Sequence, residues 1–224
     1  MMPLREGTGP WQVVPLPTAW GLFQARLDAR GRLGALYFPG EAPPAGPGTR
    51  YGPAPPALAE GLRHYLNGDG PLPTWELAPG GSVFERQVWA ALLTVPYGSW
   101  ISYGELAVRA GRPGAARAVG GAMARNPVPL FIACHRVLGS RGELTGYGPG
   151  LDLKARLLAL EGIRPRRKPA AGRKRCPPPP GATREAGAPA GDGQMRLGPR
   201  TLRSASRYRR LAASPQRIRK PPHR

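Results

Sequence analysis

Residues 126–140 read "NPVPLFIACHRVLGS", an apolar run that delivers Cys134 directly onto His135 and Arg136. A thiol is well suited to in-line attack on an electrophilic carbon, but only as the thiolate. With an ordinary pKa of about 8.5, a thiol is only slightly ionised at neutral pH, so a nucleophilic Cys134 needs a neighbouring base. His135 adjoins it in sequence. A carboxylate that could hold such a histidine is Glu161, in the last turn of the apolar-patterned "LDLKARLLALEG". The helix dipole disfavours negative charge at that end, so a carboxylate kept there wants a cationic or N–H partner. The same residue also reads as an exposed charge. Cys134 likewise reads either as a nucleophile or as an inert cysteine, since free cysteine is among the most buried residue types. Residue type and spacing leave both pairs of readings open.

The elements that would position these groups begin with "SVFERQVWAALLTVPYG". Ser82 and Glu85 form a capping box, Phe84, Val88, Ala91, Leu92 and Val95 line one face, and Pro96 is expected to end the helix. A second capping box, Ser102 to Glu105, opens "SYGELAVRAG", which stops at Gly111; Pro113 is expected to open the next helix as a first-turn proline. Two short helices across a glycine-containing turn make a helix-turn-helix candidate. The second helix is nearly bare, with Ala115, Ala116, Ala118, Gly120, Gly121, Ala122 and Ala124, and each glycine costs about 1 kcal/mol relative to alanine. Such a helix suits either tight packing against another helix or close approach to nucleic acid. Arg117, a long cation in its first turn, favours insertion into a groove.

Upstream, "GLFQARLD" and "RLGALYFPG" predict a hairpin joined through residues 28–31, and Leu58, Leu62, Tyr65 and Leu66 predict a covering helix stopped at Asn67-Gly68. His64 on that helix has no partner spaced to make a metal site and is read as a surface or packing residue. The fold class expected is α+β, with an N-terminal α+β domain over 1–79, a mainly helical domain over 80–163 and a tail over 164–224.

That tail holds 18 of the 33 Lys and Arg, with only Glu185 and Asp192 as acids, and so carries most of the net charge of +20. Repeated proline and the lack of apolar periodicity predict a disordered basic segment, either a solubilising extension or an arm for nonspecific DNA. No apolar run approaches membrane-spanning length, and no hydrophobic leader precedes the first domain, so a cytoplasmic, nucleoid-associated protein with no membrane partner is expected. Cys134 and Cys176 are the only cysteines, which predicts no structural disulfide; together with His64, His135 and His223 they show no paired ligand spacing, which predicts no metal.

Tyr103 in "VPYGSWISYGELA", then "ARAVGGAMARNPVP", "CHRV", "GELTGYG" and "LLALEG" follow one another in an order and spacing that resemble the O6-alkylguanine-DNA alkyltransferases, the methylated-DNA–protein-cysteine methyltransferases. The resemblance covers residues 83–162; residues 1–80 are similar only loosely, and the tail matches nothing in the family. It implies a ribonuclease H-like first domain and a winged helix-turn-helix second domain. It also implies irreversible, single-turnover transfer of an alkyl group from guanine O6, with thymine O4 a further candidate, to Cys134. No cofactor is implied, and the protein would be a monomer acting on double-stranded DNA that contains O6-alkylguanine.

By the same resemblance His135 relays the thiol proton through a water and is held by Glu161. Tyr103 donates to guanine N3, and Asn126 is a hinge before the active-site loop. Arg117 fills the stack left by an extruded base, with Ala118, Gly120, Gly121 and Arg125 on the DNA surface. Met123, Val137, Tyr147 and Gly148 line the alkylguanine pocket. Extrusion is needed because the O6 substituent lies inside a stacked duplex, and a bare helix suits the narrow minor groove.

Two positions depart from the family pattern. Ala133 stands where the family has proline, and Pro149 where it has small, flexible residues, both beside the expected pocket. These departures keep open a second reading, an alkyltransferase-like protein that binds and flips alkylguanine with little or no transfer. A plain winged-helix DNA binder explains neither Cys134 nor the glycine pair.

Overall fold

Strand β1 (Gln12–Thr18) opens a four-stranded sheet in the computed structural model, which describes residue 4, residues 10–44 and residues 49–166. The expected basic tail, with Cys176, lies outside the described residues apart from its first three positions. β1 pairs antiparallel with β2 (Gly21–Leu27), and β2 with β3 (Leu33–Tyr37) across a bulge at Arg26/Leu27. β4 (Arg50–Tyr51) adds parallel to the start of β1, giving the order β3-β2-β1-β4.

β2 and β3 are the expected hairpin, but β1 escapes sequence reading because it contains Pro15 and Pro17. Its pairing with β4 ends at Val13, so beyond that point one edge of β1 is unpaired and proline's missing N–H costs the ladder nothing. Pro15 and Pro17 face outward while Val14 and Leu16 are buried, the alternation of a strand with one covered face.

Helix α1 (Pro56–Asn67) buries Leu58, Leu62, Tyr65 and Leu66 and ends at Gly68, whose φ of 83° suits glycine. These residues share one apolar core with Val14, Leu16 and Phe23 of the sheet and with Val88, Val119, Ile132 and Cys134 further along the chain. The backbone ties the sheet to the later segment as well, since Leu36 N–H donates to the Pro127 carbonyl at 2.8 Å.

α2 (Val83–Leu92) and α3 (Tyr103–Arg109) both carry the expected capping boxes, at Ser82/Glu85 and Ser102/Glu105. α2 stops at Leu92, before Pro96, because the chain turns at residues 93–95. α4 (Ala116–Ala124) starts later than expected: Pro113 lies in the turn with Gly111 and Gly114, both at positive φ, and the helix opens beyond it. Short strands β5 (Ile101–Ser102) and β6 (Val137–Leu138) pair in parallel. α5 (Leu151–Leu160) closes the fold, and residues 164–166 run back along residues 142–144, with Arg166 N–H donating to Gly142 O at 2.8 Å. The described chain is therefore mixed α and β.

Candidate active site

α4 ends at Ala124, and the loop that follows is held by Asn126, whose Nδ2 donates to Ile132 O at 2.7 Å while its Oδ1 accepts from Val128 N at 3.0 Å. Inside that bracket Leu130 has a φ of 72°, the left-handed region that costs a non-glycine residue about 1–2 kcal/mol; its side chain is fully buried. Ala133 follows at φ −72°, ψ 63°, with Cys134 N donating to Ile132 O at 2.7 Å, an inverse γ-turn. That φ would accept proline without strain. The turn then winds into a 3-10 helix, Cys134–Arg136, which buries Cys134 and His135.

His135 Nε2 lies 2.8 Å from Glu161 Oε1, with both side chains wholly buried. The carboxylate accepts from four further donors: Tyr65 Oη at 2.8 Å, Arg136 Nε at 2.7 Å, an Arg136 terminal nitrogen at 3.0 Å and Gly98 N at 3.3 Å. Arg136 is fixed in turn by the Val95 carbonyl at 2.8 Å. Burial opposes ionisation of Glu161, but the hydrogen bonds of His135 and Arg136 outweigh it and hold the pKa at about 2. Burial lowers the pKa of His135 despite the carboxylate, with Arg136 and Lys154 acting in the same direction as burial. A neutral imidazole facing an ionised carboxylate carries its proton on Nε2, which leaves Nδ1 as a base. Nδ1 is buried without a hydrogen-bond partner among the described residues.

Burial raises the Cys134 thiol, and Asn126, Lys154 and Tyr147 pull it back toward the thiolate. Lys154 is wholly buried and donates to Val137 O at 2.6 Å and Thr145 O at 2.9 Å. Desolvation lowers its pKa to about 8, against the influence of Cys134. Tyr103 and Tyr147 pack against the cluster that contains Cys134, Met123 and Val137, and burial keeps both phenols protonated, with the sulfur acting in the same direction. Gly148 is exposed in the turn closed by Gly150 N–H and Tyr147 O at 3.0 Å, the turn that also contains Pro149.

α4 sits against α2, where the buried Trp89 indole donates to Ala122 O at 3.0 Å. Its other face carries Arg117, Ala118 and Ala124, all exposed, and Arg125 just beyond its end is exposed as well. Arg117 makes no ion pair among the described residues, whereas Arg125 pairs with Glu85. A methyl group at Gly120 would meet nothing nearer than the Tyr103 ring at 3.8 Å, and one at Gly121 would meet only the flexible end of Arg125 at 3.4 Å. The fold itself therefore does not require the glycine pair.

Sequence reasoning passed over Tyr65, Arg136 and Lys154 as members of this site. The signal for two of its charged residues lies in α5, where Lys154, Leu157, Leu158 and Glu161 are buried at the spacing of one helix face; a Lys and a Glu at core register must each have partners. Among the described residues no group of three His, Cys, Asp or Glu could hold a metal ion, and no helix is long and apolar enough to cross a membrane.

A model of the 6-O-methylguanine DNA methyltransferase DNA-binding domain matches residues 83–163. The methylated-DNA–protein-cysteine methyltransferase of Mycolicibacterium paratuberculosis is 59% identical over 86 residues, which span 38% of this chain and 52% of that protein. Its counterpart in Mycobacterium bovis is 47% identical over 116 residues, spanning 50% of this chain and 70% of that protein. The chain is also similar to the crystal structure of Mycobacterium tuberculosis OGT in complex with DNA, at a TM-score of 0.61 and 36% identity, covering 67% of this chain and 92% of that one.

Two outcomes test this geometry. Gly120→Ala should raise stability toward denaturant by up to about 1 kcal/mol, the helix-propensity gain; a loss would mean that packing demands the glycine. Glu161 has a pKa depressed to about 2 from 4.5, so its contribution is complete above about 4.5 and is lost as pH falls toward 2. Glu161→Gln should accordingly be less stable at neutral pH by about 3 kcal/mol and lose less between pH 4.5 and 2 than the parent, measured by denaturant unfolding at each pH. Parallel curves would place the acid sensitivity elsewhere.

Proposed function

We propose, because the chain belongs to the methylated-DNA–protein-cysteine methyltransferase family, that it repairs DNA by moving an alkyl group from guanine O6 to Cys134 in a single turnover. The observation that carries this reading is a thiol one residue from a neutral, buried histidine whose proton is fixed on Nε2 by Glu161. His135 Nδ1 takes the Cys134 proton, through a water in the family's manner. The thiolate attacks the alkyl carbon, the S–C bond forms, and the C–O6 bond breaks with its electron pair passing to the purine. Tyr103, kept protonated by burial, donates to N3, and the proton that His135 took from the thiol restores the phenol; the net result is a thioether and guanine. Lys154 and Asn126 favour the attacking thiolate.

The DNA side of the reading rests on the outer face of α4. With α3 as first helix and α4 as recognition helix, the 80–163 segment acts as a winged helix-turn-helix on a ribonuclease H-like 1–79 segment. Gly120, Gly121 and Ala118 admit the minor groove, Arg117 enters the stack, and the extruded base rests among Met123, Val137, Tyr147 and Gly148. Residues 164–224 supply charge for nonspecific DNA.

Intact-mass analysis after mixing with a duplex containing O6-methylguanine should show one methyl group added, located on Cys134 and absent from Cys176. Binding without any adduct would instead make this a recognition protein. Arg117→Ala should slow transfer from duplex at least tenfold, the finger offsetting a few kcal/mol of unstacking, yet leave the reaction with free O6-benzylguanine near the parent rate. Equal loss on both substrates would make Arg117 structural.

A further inference from the structure

Beside β6, on the hairpin that leads away from Cys134, lies a groove of about 470 Å³ lined by Trp100, Ser140, Arg141, Gly142, Arg164 and Arg166 among others. None of these residues takes part in the transfer step proposed above, although Arg164 and Arg166 are the first cations of the basic 164–224 segment. The indole of Trp100 lies against the backbone of Gly142, so closely that a methyl group there would come within 3.3 Å of the ring. Gly142 also has a φ of 78°, so the turn that seats the indole requires glycine for two reasons. Trp100 remains 42% exposed, and its indole N–H makes no hydrogen bond among the described residues, unlike those of Trp75 and Trp89.

The groove's charge is equally uncommitted. Arg164 and Arg166 are exposed and form no ion pair among the described residues; the carboxylate of Glu143, whose backbone bridges to that of Arg166, is taken by Arg141 at 2.8 Å. The backbones of these arginines are not loose, because Leu144 N–H donates to Arg166 O at 3.2 Å and Arg166 N–H to Gly142 O at 2.8 Å. A partly exposed aromatic side chain, a free indole donor and two unpaired guanidinium groups on a braced rim make up the parts of a site that stacks a base and holds its phosphates.

We infer that this groove binds a single-stranded segment of nucleic acid, with one unpaired base stacked on Trp100 and flanking phosphates on Arg164 and Arg166. A duplex would keep its bases from the ring, so the ligand class is an unpaired strand. An acidic peptide could satisfy the arginines but has no planar group to use the indole. The site is separate from α4 and requires neither Cys134 nor base extrusion. It therefore gives the protein a second hold on DNA where strands are open.

The test uses the full chain and a fluorescein-labelled oligodeoxythymidine, read by anisotropy across a salt series. Trp100→Ala should weaken binding at least fivefold, and Trp100→Phe should restore most of it, in keeping with base–aromatic stacking. On an abasic strand of equal length the parent and Trp100→Ala should bind alike. Arg164→Gln/Arg166→Gln, at exposed positions, should lower the salt slope by about 1.4, roughly 0.7 for each phosphate no longer neutralised. All variants should react with free O6-benzylguanine at the parent's rate, which reports an intact fold and keeps this test apart from that of the transfer reaction. The inference is overturned if Trp100→Ala binds oligodeoxythymidine as the parent does, or is weakened equally on the abasic strand. It is also overturned if a poly-glutamate peptide shows the same dependence on Trp100, or if the double arginine variant keeps the parent's slope.

Discussion

The architecture around Cys134 depends on keeping one carboxylate ionised where water does not reach. Removing Glu161 from solvent costs several kcal/mol, and one neutral hydrogen bond could not offset that. The fold answers with five hydrogen bonds drawn from three parts of the chain: α1 through Tyr65, the turn after α2 through Gly98, and the 3-10 turn through His135 and Arg136, all meeting the end of α5. Arg136 carries the compensating charge. Because Arg136 and His135 follow Cys134 on a single helical turn, satisfying the carboxylate also sets where the sulfur can be. The thiol is thus aimed by an electrostatic requirement met one and two residues away.

The same arrangement divides labour between acid and base. A carboxylate held at about 2 is a poor proton acceptor, so Glu161 orients the imidazole and fixes its tautomer, which leaves Nδ1 free to accept a proton. Lys154 adds a positive charge to the pocket, anchored by two backbone carbonyls and without a carboxylate partner among the described residues. Burial alone would leave Cys134 an inert thiol, and the neighbours reduce that penalty.

Much of this is legible in the sequence because it is local. Capping boxes, the hairpin, the apolar faces of α1 and α2 and the stop at Gly68 follow from short-range spacing, and the motif order around Cys134 carries the family resemblance. What escapes is nonlocal. Tyr65 sits at a core position of α1, and only the docking of that helix shows its hydroxyl meeting a carboxylate 96 residues away. β1 is hidden by two prolines that are harmless only because its edge is unpaired from residue 14 onward, a fact of sheet order. The late start of α4 follows from Gly111 and Gly114, whose turn outcompetes a proline-led first turn. Bareness in α4 is visible in the sequence, but whether packing requires it can be judged only from the space around each glycine.

Leu130 gives the active-site loop a property that hydrogen bonds and distances alone do not reveal. Its left-handed backbone is unfavourable by itself, and what holds it there is burial of the leucine side chain in the core shared by the sheet and the helices. Until that core has closed, the chain from Asn126 to Cys134 has every reason to relax to another path. The path of the loop that carries Cys134 therefore depends on the closed core. On the function proposed above, a partly opened molecule would keep its cysteine but lose the loop path that aims it.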